Sequence, residues 1–189
     1  ELVYREKLLK LQEKEDFEKY KDWLAMQPIK VLKSLGYLKS KSKSPEMVEE
    51  CLKFYGVASP FQWEAVYINQ YLSTDFRKSE AHKTSLGGLA TFLRIGEIEM
   101  MNMELNKYDK KVFKDSFVEI KKIVQSHPAD FAERLIELCA SAGVALVFTP
   151  KIPKAPISGV ARWVRGIPLI QLTDRYKWND HFWFSFFHE

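Results

Sequence analysis

The residues best suited to chemistry stand together in "HFWFSFFHE", residues 181–189. His188 and Glu189 match the opening of the zinc-peptidase motif H-E-x-x-H. In that motif the first His gives a ring nitrogen to Zn²⁺. The neighbouring Glu projects about 100° round the helix. From there it takes a proton from the zinc-bound water and later hands it to the leaving amine. A second His one helical turn on returns to the metal face. That place is position 192, beyond the last residue. His82 and His127 lack the spacing to replace it, and His181 lies two turns before His188, too far to share an ion. The sequence thus offers His188 as a metal ligand and Glu189 as the catalytic acid/base, an incomplete site expected to be inert by itself. The plainer reading is an ordinary buried helix with a hydrogen-bonded core histidine.

Other reactive residue types point away from chemistry. Ser158 has no His–Asp partners at plausible spacing, which sets a serine hydrolase aside. The methionines of "EIEMMNME" recur at helical spacing and read as packing rather than as a soft metal box. Cys51 and Cys139 are far apart and belong to no C-x-x-C pair, so two free thiols in a reducing cytoplasm are expected. Trp163, Trp178, Phe182, Trp183, Phe184, Phe186 and Phe187 cluster on and around one apolar segment, which from Trp178 on has no interleaved Lys or Arg. They read as core rather than as a stacking platform for single-stranded nucleic acid. Arg162 and Arg165 flank a proposed turn and read as solvated strand-edge arginines. The 29 basic residues are mixed with 25 acidic ones, for a net charge of +4, which is not the concentrated patch of a nucleic-acid binder.

The elements that must position these residues follow from periodicity and punctuation. Residues 1–25 read as a long amphipathic helix, with Leu8, Leu11, Phe17, Tyr20 and Leu24 at helical spacings. Pro28 ends it, and "IKVLKSLGYL" is a short helix closed by Gly36 in a left-handed cap. "KSKSKSPE" (39–46) is a basic, solvated loop leading into a helix with Ser44 as cap and Pro45 in its first turn. That helix ends at Gly56, and Ser59-Pro60 opens the next. "KSEAHKTS" (78–85) is a linker candidate. Helices follow at 86–104, 109–125 and 128–142, with Gly143 just past the last. Then the period changes. "VALVFTP" is a short strand, "KIPKAP" a proline-broken loop, and "ISGVARWVRGIPLIQLT" two strands around Arg165-Gly166. The final segment from Trp178 should be a buried helix. No apolar run approaches the ~18 residues of a membrane span. The fold class is α+β, with a mainly helical first half followed by a small antiparallel sheet.

"GVARWVRGIPLIQLTDRYKWNDHFWFSFFHE" closely resembles the start of the peptidase-like domain of the ImmA/IrrE family. "FLRIGEIEMMNMELNKYDKKVF" and "FAERLIELCASAGVALVFTP" are similar to the helices and first strand that open that domain. The helices from "ELVYREKLLKLQEKEDFEKYKDWL" to "CLKFYGVASPFQWEAVY" look like the connector of two-part regulators. In those proteins an Xre-type helix-turn-helix domain, often of HigA antitoxin type, precedes the peptidase-like part. The resemblance implies a helical connector over 1–77 and a partial zincin-like domain over 78–189, ending in a zincin-type active-site helix. It implies zinc as cofactor of the complete domain, with His188 as first ligand and Glu189 as general acid/base. It also implies that "ISGV" (157–160) forms the sheet edge over the active-site groove. The implied partners are a protein substrate or toxin, a second copy in a homodimer, and DNA through an N-terminal domain outside this sequence. The chain is expected to be the middle of a larger cytoplasmic regulator. Two functions follow: a zinc-dependent endopeptidase acting on a regulatory protein, or a non-catalytic sensing and dimerising module of a DNA-binding regulator or antitoxin.

Overall fold

A computed structural model of the chain describes residues 2–40, 44–69, 83–126, 128–155, 157 and 159–173. Two compact units emerge. The first is Glu1–Arg94 with Ile152–Pro156, the second Ile95–Lys151 with Ile157–Glu189. The expected boundary at 77/78, the basic residues 41–43 and the expected final helix all fall outside the described residues.

The first unit is helical. Helix α1 (Leu2–Met26) runs to Pro28, and α2 (Ile29–Ser34) follows. Gly36 ends α2 at φ +81°, while the Tyr37 N–H donates back to the Leu32 carbonyl at 2.9 Å. Helix α3 (Pro45–Tyr55) starts after an extended Ser44, with Pro45 where no N–H is needed. Helix α4 (Pro60–Trp63) continues into a π-helical turn, Glu64–Ile68. Its start resembles a capping box, with the return bond made to the residue before the N-cap. The Ser59 hydroxyl accepts from the Gln62 N–H at 3.2 Å, and the Gln62 side chain accepts from the Ala58 N–H at 2.8 Å. Helix α5 (Lys83–Met101) contributes its residues up to Arg94 to this unit.

The core of the first unit surrounds Tyr55, whose ring packs edge-on against Trp23 and Trp63 at 6.3 and 5.9 Å. Its hydroxyl donates to the Gln27 side-chain amide oxygen at 2.6 Å and lies 2.8 Å from the Thr91 hydroxyl. Gln27 in turn donates to the Trp23 carbonyl at 3.1 Å. Burial pushes the Tyr55 phenol far above its ordinary value, so it stays protonated and can donate. The apolar helices thus close around a polar knot whose members satisfy one another.

The second unit is a three-layer arrangement. Helices α6 (Lys110–Ser126) and α7 (Phe131–Ser141) cover one sheet face, and the end of α5 covers the other. Asp109 caps α6, its carboxylate accepting from the Lys111 and Val112 N–H groups at 2.7 and 3.1 Å. Helix α5 stops at Met101 rather than at 104. The N–H groups of Asn102 and Met103 turn back to the Glu99 and Met100 carbonyls at 3.0 and 3.1 Å, tightening the last turn. Helix α7 begins at Phe131 because Pro128 is spent in a turn, its carbonyl accepting from the Phe131 N–H.

The strands are β1 (Ala145–Thr149), β2 (Gly159–Val164) and β3 (Ile167–Thr173), in spatial order β1-β3-β2. The fold is α+β, as expected, but the sheet is mixed. β2 and β3 form an antiparallel hairpin, while β3 also pairs with β1 in parallel, Ala145 opposite Leu169 and Thr149 opposite Thr173. The reason is insertion: β3 returns between β1 and β2, so β1 meets the second strand after it. The hairpin turn is Arg165-Gly166, at φ +51° and +80°. Two successive positive values are what a two-residue turn matching the strand twist requires. On the α6/α7 face Leu146, Ile170 and Leu172 pack with Ile120, Ile123 and Leu135. On the α5 face Ala145, Val147 and Leu169 pack with Met100. β1 is therefore covered on both faces, which explains its unbroken apolar run. Among the described residues, no helix is long and apolar enough to cross a membrane.

Candidate functional site

His188 and Glu189, on which the zinc reading rests, lie outside the described residues, and so do His82, His127 and His181. Among the described residues, no group of three or more His, Cys, Asp or Glu side chains could hold a metal ion. The cysteines do not supply ligands. Cys51 and Cys139 are free and buried in different units. Burial pushes both thiols up to about 12, so neither is a thiolate near neutrality. The described residues therefore give no donor set against which a zinc ion can be fitted.

What they do show is the frame from which the 174–189 segment departs. β3 ends at Thr173, beside Thr149 at the end of β1. These two threonines and Gln171 are buried polar residues in the otherwise apolar β1–β3 pair. Gln171 donates to the Thr149 hydroxyl at 2.8 Å. Its amide is pressed against Gly96 of α5, where a Cβ would meet the Gln171 carbonyl oxygen at 2.1 Å. The Thr173 hydroxyl is buried without a hydrogen-bond partner among the described residues. A small polar cluster thus marks the carboxyl ends of the parallel strand pair, where the chain passes to "HFWFSFFHE".

β2 lies on the outside of the sheet and pairs on one side only among the described residues. Ser158 is outside those residues, and the strand starts at Gly159. Arg162, read from sequence as solvated, is instead buried. Its guanidinium donates to the Glu97 carboxylate of α5 at 2.8 Å, with the two side chains 7% and 15% exposed. The strand alternation sends residue 162 to the α5 face, where Glu97 waits. Arg165 does stay at the surface, with a guanidinium nitrogen 3.7 Å from the Met101 sulfur. Trp163 was expected in the core and is 62% exposed, its ring edge-on to Tyr108 at 5.3 Å. It sits on the outer strand, on the face whose apolar partners gather over β1 and β3. The methionines do pack: Met100 is buried and Met103 joins its cluster, although Met101 is half exposed.

Glu97 and Gln171 escaped the sequence reading. A signal existed for Gln171, a lone polar residue in the apolar run "IPLIQLT". Glu97 carried none, because its partner is 65 residues away.

No protein-family model, curated protein or solved structure matches this chain.

Proposed function

We propose that this chain is part of a cytoplasmic transcriptional regulator or antitoxin of the ImmA/IrrE type, whose peptidase-like domain is a zinc-dependent endopeptidase acting on a regulatory protein. The observation that carries the reading is the β2–β3 hairpin, whose outer β2 edge is unpaired among the described residues, and whose sequence leads into the segment that ends His188-Glu189. An exposed strand edge can hold an extended peptide by main-chain hydrogen bonds, and its side-chain alternation can select sequence. A carboxylate beside a zinc ligand is the group that moves the proton in peptide hydrolysis. In this reading His188 offers a ring nitrogen to zinc and Glu189 is the acid/base. Bound zinc would supply Lewis-acid polarisation and a water nucleophile at neutral pH.

Native mass spectrometry of the natural full-length protein tests the reading. One zinc per chain is expected, lost in His188→Ala and retained in Glu189→Gln, with cleavage of a helix-turn-helix repressor lost in both. A protein that stays metal-free under a modest excess of zinc would end the peptidase reading.

A further inference from the structure

The helical unit contains a groove of about 530 Å³, within the size range of small-molecule sites. It lies between the end of α1, α2, the start of α3 and the turn at residues 153–154, all within the first unit. Leu24, Met26, Pro28, Ile29, Val31 and Met47 make it predominantly apolar. The one carboxamide in its lining, Gln27, is committed to Tyr55 and Trp23. Among the described residues, the charged groups of the lining are Lys30, Lys33 and Lys154, with no carboxylate. Lys30 has no acidic partner among the described residues.

Lys154 adds a second, independent observation. The Ala155 N–H donates to the Ile152 carbonyl at 3.1 Å, closing a four-residue turn with Pro153 second and Lys154 third. Lys154 has φ +64°, the left-handed value that a type II turn demands at this place. Glycine is the residue that adopts it without strain. The turn is also held firmly. Gly88 of α5 lies so close that a Cβ there would sit 2.9 Å from both the Ala155 nitrogen and the Pro153 carbonyl oxygen. A long cation thus occupies a glycine position, on a fixed turn, at the rim of an apolar groove. A strained backbone at such a place motivates a hypothesis of function.

We propose that this groove binds a small amphipathic anion, an apolar chain or ring seated on Met26, Pro28, Ile29 and Val31 with its carboxylate or phosphate head among Lys30, Lys33 and Lys154. Buried apolar area supplies the attraction, and the ammonium groups select charge and orient the ligand. Occupancy would give the helical unit a ligand-sensing role, and the site does not depend on zinc or on proteolysis elsewhere in the chain.

The probes are decanoate, decyl phosphate, decanol and decyltrimethylammonium, titrated into the 189-residue protein and followed by calorimetry and methyl NMR. Decanoate or decyl phosphate is expected to bind saturably at one per chain, shifting the methyl signals of Met26, Ile29, Val31 and Met47. The tighter of the two names the head group. Decanol and the cation are expected to bind at least tenfold more weakly, and Lys30→Gln with Lys154→Gln should erase that preference. Lys154→Gly separates function from structure: it should raise the melting temperature by relieving the turn while weakening anion binding several-fold. Equal binding of decanoate and decanol, shifts away from the groove, or lysine variants that bind like the parent would overturn the proposal.

Discussion

Removing the Glu97 carboxylate should destabilise the protein more than any surface charge change, because its partner cannot return to water. Arg162 is 7% exposed and its guanidinium is 2.8 Å from the Glu97 oxygen across the sheet–α5 contact. In Glu97→Ala the guanidinium stays largely buried and loses that carboxylate, and breaking a buried pair in this way costs about 3–5 kcal/mol. Glu97 is 15% exposed, so some water reaches the vacated space and the lower end, about 3 kcal/mol, is expected. For a chain of this size that is a fall in melting temperature of roughly 6–12 °C. Replacing both partners by methionine removes the uncompensated charge together with the pair, and should return stability to within about 1 kcal/mol of the parent. Urea titrations followed by far-UV circular dichroism give all four corners of the cycle. Coupling should exceed about 1.5 kcal/mol and change little at high salt, since buried pairs are poorly screened. A Glu97→Ala cost below about 0.5 kcal/mol, in the range of a surface ion pair, would refute the reasoning. Arg162 would then behave as a solvated arginine after all.

Tyr55→Phe should cost about 1–3 kcal/mol by the same titration, because the Gln27 oxygen and Thr91 hydroxyl lose their partner while staying buried; a neutral result would mean that water replaces the phenol. For the thiols, the folded state holds its protons to about 12 while an unfolded cysteine ionises near 9. Their contribution is therefore complete below pH 9 and lost as pH rises from 9 towards 12. Ellman's reagent at pH 8 should find no reactive thiol in the native chain and two after denaturation, and fast native labelling of either cysteine would contradict the burial.

The features legible in the sequence are those set within a few residues. Gly36 and Gly56 end helices because a left-handed residue can close the last turn, and Pro45 and Ser59 start them because orphan N–H groups need a substitute. The Arg165-Gly166 turn was readable for the same reason, and the register of the hairpin followed from it. The errors fall where the deciding partner is remote. An antiparallel sheet was expected because consecutive strands usually pair, and nothing local says that β3 inserts beside β1. Trp163 was assigned to the core by its type, yet exposure depends on which strand the helices cover. Arg162 was assigned to solvent by its charge, yet strand alternation turns it onto α5.

The candidate zinc chemistry differs in kind from these cases. His188 and Glu189 can be recognised by type and adjacency, but a metal site is a convergence of side chains from separate places, and adjacency supplies one ligand. Gln171 shows how far local reasoning can be pushed. A polar side chain in the middle of an apolar strand must find a hydrogen bond, because leaving its amide unpaired costs about 1–3 kcal/mol. The strand pattern therefore demands a partner without naming it. The partner is Thr149, on the parallel neighbour that periodicity could not assign. The facing helix residue must also be glycine, since Gly96 leaves no room for a Cβ beside the amide. Read together, Gly96, Thr149 and Gln171 require β3 to lie against both β1 and α5. These three residues are thus fitted to one another in the observed strand order, which the apolar pattern left open.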